Sequence, residues 1–311
     1  MRLFKFRSQQ VEVVKFSVQP SDLVACQAGL AIAVLIKNEA ASIDEWLRFH
    51  QAAGVSHFIL YDDGCTDDSI DIARRALTPS ELTVIPWAQR LQDSKFGRAI
   101  HNQGLAFAHA ISNFRTRFRW IAFTDIDEFL FPTSKSSILE VLSDLEHVDN
   151  LILHWTMFGR QNFHKTPSQI IPNYTERMLD PFESQVKGIL NFKCVVNPMK
   201  VTKTYIHGFE TNSSSTIWNS LGSEFKFGDH KSSTFHDGAA LQLNHYYSKS
   251  QQQLDEKIAK GSIGDSLFTA ALKSPDVRAT KLTNRVLEIE RETVEDLGIQ
   301  DFCKRANIDL G

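Results

Sequence analysis

The first half of the chain predicts an α/β fold with a mostly parallel central sheet flanked by helices, on three observations. Continuous apolar runs recur at Ala31–Ile36, Phe58–Tyr61, Leu82–Pro86 and Trp120–Phe123, and helical periodicity fills the intervals between them. Polar or acidic loops follow three of the runs, at Lys37-Asn38-Glu39, Asp62-Asp63-Gly64 and Asp125-Ile126-Asp127. Strands that are apolar on both faces belong in parallel sheets covered by helices, and strict alternation of strand with helix gives right-handed crossovers.

Each element has its own signal. After the first run, Ser42 and Glu45 read as a capping box, and Trp46, Phe49, His50 and Ala53 recur at helical spacing until Gly54 offers a left-handed stop. The second run passes through the loop Asp62–Asp68 into a helix over Ser69–Leu77, with Asp67 or Asp68 as its cap. Ile100, Phe107, Ala108 and Ile111 predict a helix over Phe96–Phe114, and Ser137–Leu145 predicts another. Residues 151–245 mix short β-like runs, such as Leu151–Trp155 and Lys193–Val196, with loops rich in Ser, Asn, His and Gly, and from Ser248 the pattern is helical almost to Gly311. Ahead of the main fold, Leu3-Phe4-Lys5-Phe6 and Val11-Glu12-Val13-Val14 alternate as added strands do. The chain therefore divides into an N-terminal strand extension (1–30), a main domain (31–261) and a C-terminal helical extension (262–311).

A chain of 311 residues with 42% hydrophobic content can bury a large single core. Its 34 basic and 37 acidic residues leave a net charge of -3, so no global field favours nucleic acid and any phosphate must be held locally. Cys26, Cys65, Cys194 and Cys303 lie far apart with no C-x-x-C pair, which argues against a zinc knuckle or a disulfide framework and suits a reducing cytoplasm. No apolar run reaches the roughly 20 residues of a membrane span, and Met1–Pro20 alternates apolar with charged residues rather than forming a signal sequence. A cytoplasmic protein with no transmembrane segment is the expectation, with room left for peripheral membrane contact.

Asp125 and Asp127 follow the last strand of the series, where side chains two apart on extended backbone share a direction while Ile126 turns to the core. Ligands of open α/β sheets bind outside the carboxyl ends of the strands. Two carboxylates there suit Mn²⁺ or Mg²⁺, which keep positions for water and phosphate oxygens. The loops Lys37-Asn38-Glu39 and Asp62-Asp63 end neighbouring strands, so one sheet edge collects the groups that a nucleotide requires.

These strings together resemble the GT-A fold glycosyltransferases of families 2 and 92, and the family 92 side more closely. The likeness is carried by Leu35-Ile36-Lys37-Asn38-Glu39 with Glu45-Trp46-Leu47, by Gly54-Val55-Ser56-His57-Phe58 leading to Tyr61-Asp62-Asp63, and by Trp120 through Phe129. Asn244-His245-Tyr246-Tyr247-Ser248-Lys249-Ser250, with Lys257 and Gly261, matches the closing motif, and Trp155-Thr156-Met157-Phe158-Gly159 matches a W-x-x-F-G string. Arg160-Gln161-Asn162 departs from the Ser-rich continuation of that string, which leaves the acceptor open. The N-terminal anchor of eukaryotic members is missing, which points to a bacterial cytosolic protein.

The resemblance implies an inverting transferase with a nucleotide-sugar donor, usually uridine-linked, a carbohydrate or glycoconjugate acceptor, and a divalent metal on Asp125 and Asp127. It also implies a histidine from the C-terminal half as a further ligand, for which His245 and His207 compete. Lys249, beside a helix start, suits the donor diphosphate. Arg98, His101 and Asn102 share a helical patch on the nucleobase side, next to the donor groups Lys37, Asn38, Glu39, Asp62 and Asp63. Glu176, Glu183, Glu210 and Asp237 all lie in the acceptor half, and Glu210, after His207-Gly208, is put forward as the catalytic base. Two other readings stand beside this one. A haloacid-dehalogenase-type phosphatase also uses paired aspartates, but Phe129 occupies the position of its Thr or Val, and its motif opens the first strand. A catalytically inactive sugar-nucleotide-binding protein is the other.

Overall fold

The computed structural model describes residues 12–19, 28–213, 216–236, 239–260 and 275–309. The Leu3–Phe6 run, Cys26, Asp237 and Gly261 lie outside those residues.

The four apolar runs form the strands β1 (Leu30–Ile36), β2 (His57–Asp62), β3 (Leu82–Pro86) and β4 (Trp120–Phe123). They lie in the order β4-β1-β2-β3 and every neighbour is parallel. All seven residues of β1 are buried because it sits at the centre with both faces covered. Leu30, Ile32, Val34 and Ile36 pack with Trp46 and Phe49 of α1 (Ile43–Ala52), whereas Ala31, Ala33 and Leu35 pack with Phe107 and Ile111 of α3 (Asn102–Phe114). Between them in sequence, α2 (Ser69–Ala76) connects β2 to β3. Burying an aromatic side chain as fully as Trp46 or Phe49 contributes about 1.5–3 kcal/mol. Gly54 ends α1 at φ +104°, a conformation in which an added Cβ would be strained.

The second half continues the same sheet. β5 (Glu128–Pro132), β6 (Asn150–Phe158), β7 (Phe192–Val196) and β8 (Leu241–Tyr246) belong to it, with four shorter strands at its margins. β7 runs antiparallel to both β4 and β6, and β8 runs parallel to β6 and antiparallel to β5. The registers Cys194↔Phe123 and His245↔Glu128 bring residues of the second half to the end of β4. No helix of the described residues is long and apolar enough to cross a membrane.

Several expectations are corrected. Only Asn102–Phe114 of the Phe96–Phe114 segment is helical; Ala99–Ile100 pairs with Glu12–Val13, and Gly104 N–H bonds the Nδ1 of His101, which caps α3. Of the N-terminal segment, Glu12–Val13 and Phe16–Ser17 form short strands outside the main sheet, the latter in a small sheet with Val201–Thr204 and Phe209–Thr211. After α4 (Gln251–Lys260), the helices Pro275–Ile289 and Gly298–Arg305 are separated by a strand, Thr293–Glu295, paired with Glu176–Met178.

The capping box does not form. Ser42 Oγ receives Lys249 Nζ at 2.7 Å, and the Glu45 carboxylate accepts the N–H groups of Ile170 and Ile171 at 2.7 and 2.9 Å. Both side chains are buried, so distant donors that would otherwise be unpaired take precedence over the helix's own amides. Glu45→Ala removes that acceptor and leaves two amides inside, and the expected loss is about 2 kcal/mol, read from urea unfolding midpoints at constant slope.

Candidate active site

β4 ends at Phe123 and β5 starts at Glu128, so Asp125 and Asp127 lie in a turn, closed by Glu128 N–H on the Asp125 carbonyl at 3.2 Å. Ile126 anchors the turn in the core, as expected. The aspartates do not share one extended face. Asp125 accepts Gln103 Nε2 at 2.8 Å and Lys193 Nζ at 2.7 Å, whereas Asp127 Oδ2 faces Lys257 Nζ at 3.3 Å and His245 Nε2 at 3.6 Å. Tyr246 N–H bonds the Asp127 carbonyl at 2.9 Å and ties the turn to β8.

A third carboxylate, Glu128, is fully buried behind the pair. One oxygen accepts the Asp125 N–H at 3.0 Å and the other lies 3.7 Å from Lys193 Nζ. Burial pushes Glu128 well above the usual carboxylate range, with Lys193 opposing. Burial would strip Lys193 of its proton, but Asp125 and Glu128 outweigh it and raise its pKa. Burial also pushes Asp127 up; Lys257 and His245 prevail and hold it well below its ordinary value. Across the turn, burial raises Glu39 to about 7 against Lys249, and the charge on Asp127 adds to the rise.

Both candidate histidines reach this place. Trp155 of β6 packs against His245 with ring centroids 4.2 Å apart and edge-on against His207 at 5.6 Å. Burial lowers the pKa of each, to about 4 for His207. Asp127, Glu128 and His245 each offer a ligand atom within 4.8 Å of the others. Glu128 Oε1 and His245 Nδ1 have no hydrogen-bond partner, and the ring nitrogen that faces Asp127 is Nε2. His207 is not in that group, and Asp125 is engaged by Lys193 and Gln103.

At the end of β2, Asp63 is buried and receives both guanidinium nitrogens of Arg90 at 2.7 and 2.9 Å and Asn102 Nδ2 at 2.8 Å. Asp62 shapes its own loop, accepting the N–H groups of Gly64 and Cys65 at 3.0 and 2.7 Å. Lys37 Nζ donates to the Asp63 carbonyl at 2.9 Å. Asn38, at φ +56°, accepts Thr66 N–H at 2.8 Å, and Glu39 N–H bonds Ser69 Oγ at 2.7 Å. The two loops are therefore knitted together beside the aspartate turn.

Other candidates are placed elsewhere. Arg98 is off the helix and paired with Asp93 at 3.0 Å, and Arg90 takes the place at Asp63. Lys249 is not at an open helix start: its ammonium is buried, bonded to Ser42, with Glu39 and Asp127 as the nearest charges. Glu210 is not brought to the turn. It lies on the small sheet, and its carboxylate is engaged by Lys15 at 2.9 Å, by Lys203 and by Tyr205 Oη. The reading of sequence missed Lys193, Glu128, Gln103 and Arg90. Lys193 was legible in part, as a cation within the apolar run Phe192–Val196.

The sequence model of glycosyltransferase family 92 matches residues 24–273. The chain belongs to glycosyltransferase family 92. Curated relatives include a family 92 protein of Oryza sativa subsp. japonica, 25% identical over 160 residues that cover 49% of this chain and 25% of the relative. A family 92 protein of Ricinus communis is 22% identical over 57% of this chain and 30% of its own length. A galactan beta-1,4-galactosyltransferase of Arabidopsis thaliana is 29% identical over 33% of this chain and 20% of its own. The chain thus spans less than a third of the length of these relatives. Among solved structures, S. aureus TarS residues 1–349 in complex with UDP-GlcNAc aligns at 13% identity and TM-score 0.38, covering 83% of this chain and 72% of that one. Glucosyl-3-phosphoglycerate synthase from Mycobacterium tuberculosis, in complex with Mn²⁺, UDP and phosphoglyceric acid, aligns at 16% identity and TM-score 0.27, over 41% and 43% of the two chains.

In this family 92 chain the raised pKa of Glu39 has a sign that can be tested on the metal-free protein. Between the ordinary 4.5 and about 7 the folded state binds more protons than the unfolded, so the Glu39 contribution falls as pH rises through that window. Glu39→Gln should flatten this fall, measured by urea unfolding at the two ends of the window.

Proposed function

We propose that the protein transfers a glycosyl group from a nucleotide diphosphate sugar, uridine-linked, to an acceptor hydroxyl, with a divalent cation and with inversion at the anomeric carbon. The observation that carries this reading is the convergence of Asp127, Glu128 and His245 beside the nucleotide-side cluster of Asp63, Asn102 and Arg90. Family membership supports sugar transfer. The relative named as a galactan beta-1,4-galactosyltransferase supports a sugar hydroxyl as acceptor and a β-linkage as product.

Mn²⁺ or Mg²⁺ held by Asp127, Glu128 and His245 would supply Lewis-acid neutralisation of the charge that develops on the leaving diphosphate. The chain's own residues do the rest. Lys193 and Gln103 fix Asp125, so the turn keeps its shape as the charge at its tip changes. Lys257, 3.3 Å from Asp127, would add a second positive charge near a diphosphate bound at the turn. Lys249, behind it, holds α1 against the β8–α4 connection through Ser42. Arg90 and Asn102 orient Asp63, which with the Lys37–Glu39 loop forms the polar wall for the nucleoside. Glu210 can act as base only after releasing Lys15, Lys203 and Tyr205.

UDP titrated into the protein with and without Mn²⁺ tests this. The expected result is metal-dependent binding that falls at least about tenfold in Asp127→Ala and in His245→Ala. Metal-dependent binding unchanged in both variants would sink the proposal. Lys257→Ala, tested with the nucleotide sugar that turns over, should lower kcat/KM by roughly 10–100-fold with the fold intact by circular dichroism.

A further inference from the structure

We infer that the acceptor carries an apolar aryl or alkyl group close to the hydroxyl that is glycosylated, and that a cavity beside the aspartate turn receives that group. The inference rests on the transferase reading and deepens it by naming a substrate class.

The cavity, of about 680 Å³, lies between β7 and the small sheet that includes Phe209–Thr211. Its walls are largely the side chains of Phe192, Tyr205, Ile206, His207, Phe209 and Phe227. This is the volume and the lining of a small-molecule pocket. Two contacts join it to the site. Phe209 packs on Phe123, the last residue of β4, with ring centroids 4.4 Å apart. His207 forms the shared wall, edge-on to the same Trp155 that carries His245 on its ring.

The chemistry of the walls decides what fits. A bare sugar placed among these rings would leave several hydroxyls without partners, at a cost that its ring faces could not offset. Glu210 and Thr216 also line the cavity, and the Glu210 carboxylate is already engaged by Lys15, Lys203 and Tyr205. His207 differs, since its Nδ1 has no hydrogen-bond partner and its ring is close enough to Lys193 and Asp125 to feel their charges. An unpartnered imidazole nitrogen on the wall shared with the site, with rings over most of the rest, suits a molecule that is polar at its reacting end and apolar beyond it. Phe227 is 41% exposed, an aromatic group left partly open to solvent beside the cavity.

The test uses the full chain with Mn²⁺ and UDP, and matched pairs of 4-nitrophenyl and methyl glycosides of galactose and of glucose as probes. Affinity is read by titration, and KM with the nucleotide sugar that turns over. The aryl member should bind at least about tenfold more tightly, from the apolar area that it buries. Ile206→Trp, which fills the cavity from its wall, should reduce that ratio to about twofold, and Phe227→Ala should reduce it in part. Equal affinities within each pair, or a preference that survives Ile206→Trp, would overturn the inference while UDP binding and turnover stand. A preference that emerges only in the full chain bearing Leu3→Ser, Phe4→Ser and Phe6→Ser would overturn it too, by assigning the cavity to the protein's own N-terminal segment. Absence of UDP binding and of turnover with any nucleotide sugar would instead remove the transferase reading, and this inference with it.

Discussion

The ammonium of Lys193 lies between Asp125 and Glu128, and the arrangement of the site depends on it. Three carboxylates stand within four residues here, Asp125, Asp127 and Glu128, and Glu128 has no exposure to solvent. Left alone they would repel one another in a medium that screens poorly. Lys193 reaches Asp125 at 2.7 Å and Glu128 at 3.7 Å, and the two carboxylates together outweigh the burial that would lower the pKa of the lysine. The lysine is itself buried, so removing it would leave carboxylates without a counter-ion, a change that costs about 3–5 kcal/mol in other buried pairs. The same contact ties β7 to the end of β4, so charge balance and sheet assembly are one event.

That balance divides the roles of the two aspartates. Asp125 is held by Lys193 and Gln103 and is part of the scaffold of the turn. Asp127 points the other way, to His245 and Lys257, and with Glu128 and His245 it makes the only group of three suited to a cation among the described residues. The division follows from topology. β7 is antiparallel to β4 and delivers a cation to one side of the turn, while β8 is antiparallel to β5 and delivers an imidazole opposite Glu128 on the other. A turn between β4 and β5 can serve both sides at once, which an extended strand end could not.

The loops that end β1 and β2 obey a different logic, in which hydrogen bonds rather than charge balance set the shape. Asp62 satisfies the amides of its own loop, Lys37 bridges from the first loop to the second, and Asp63 collects Arg90 and Asn102. Asn102 also exchanges hydrogen bonds with Trp87 in both directions at 3.0 Å, so the start of α3 is fixed to the chain that leaves β3. The cluster is thus fixed by hydrogen bonds within the protein itself.

The sequence by itself determined the parallel half of the sheet and drew candidate residues to the ends of its strands. Those signals are local: a strand covered on both faces is apolar throughout, and a strand-end loop carries its own acidic residues, so β1 to β4 and the strand-end positions of Asp63 and the aspartate pair were legible. The same locality explains the misreadings. Ser42 and Glu45 have the spacing of a capping box, but the buried Lys249 and the amides of Ile170 and Ile171 claim them, because an unpaired buried donor costs more than a helix amide that water can reach. Arg98 has the spacing of a helical neighbour of Asn102 but precedes the helix. Tertiary structure decided which histidine joins the carboxylates, which aspartate stays open, and that Lys193 balances them. Those partners are 68 residues from Asp125, for Lys193, and 130 from Asp127, for Lys257. No spacing rule reaches that far, since antiparallel strands added at the end of β4 set the distances, and only their register turns a lysine in one apolar run toward the acids of another.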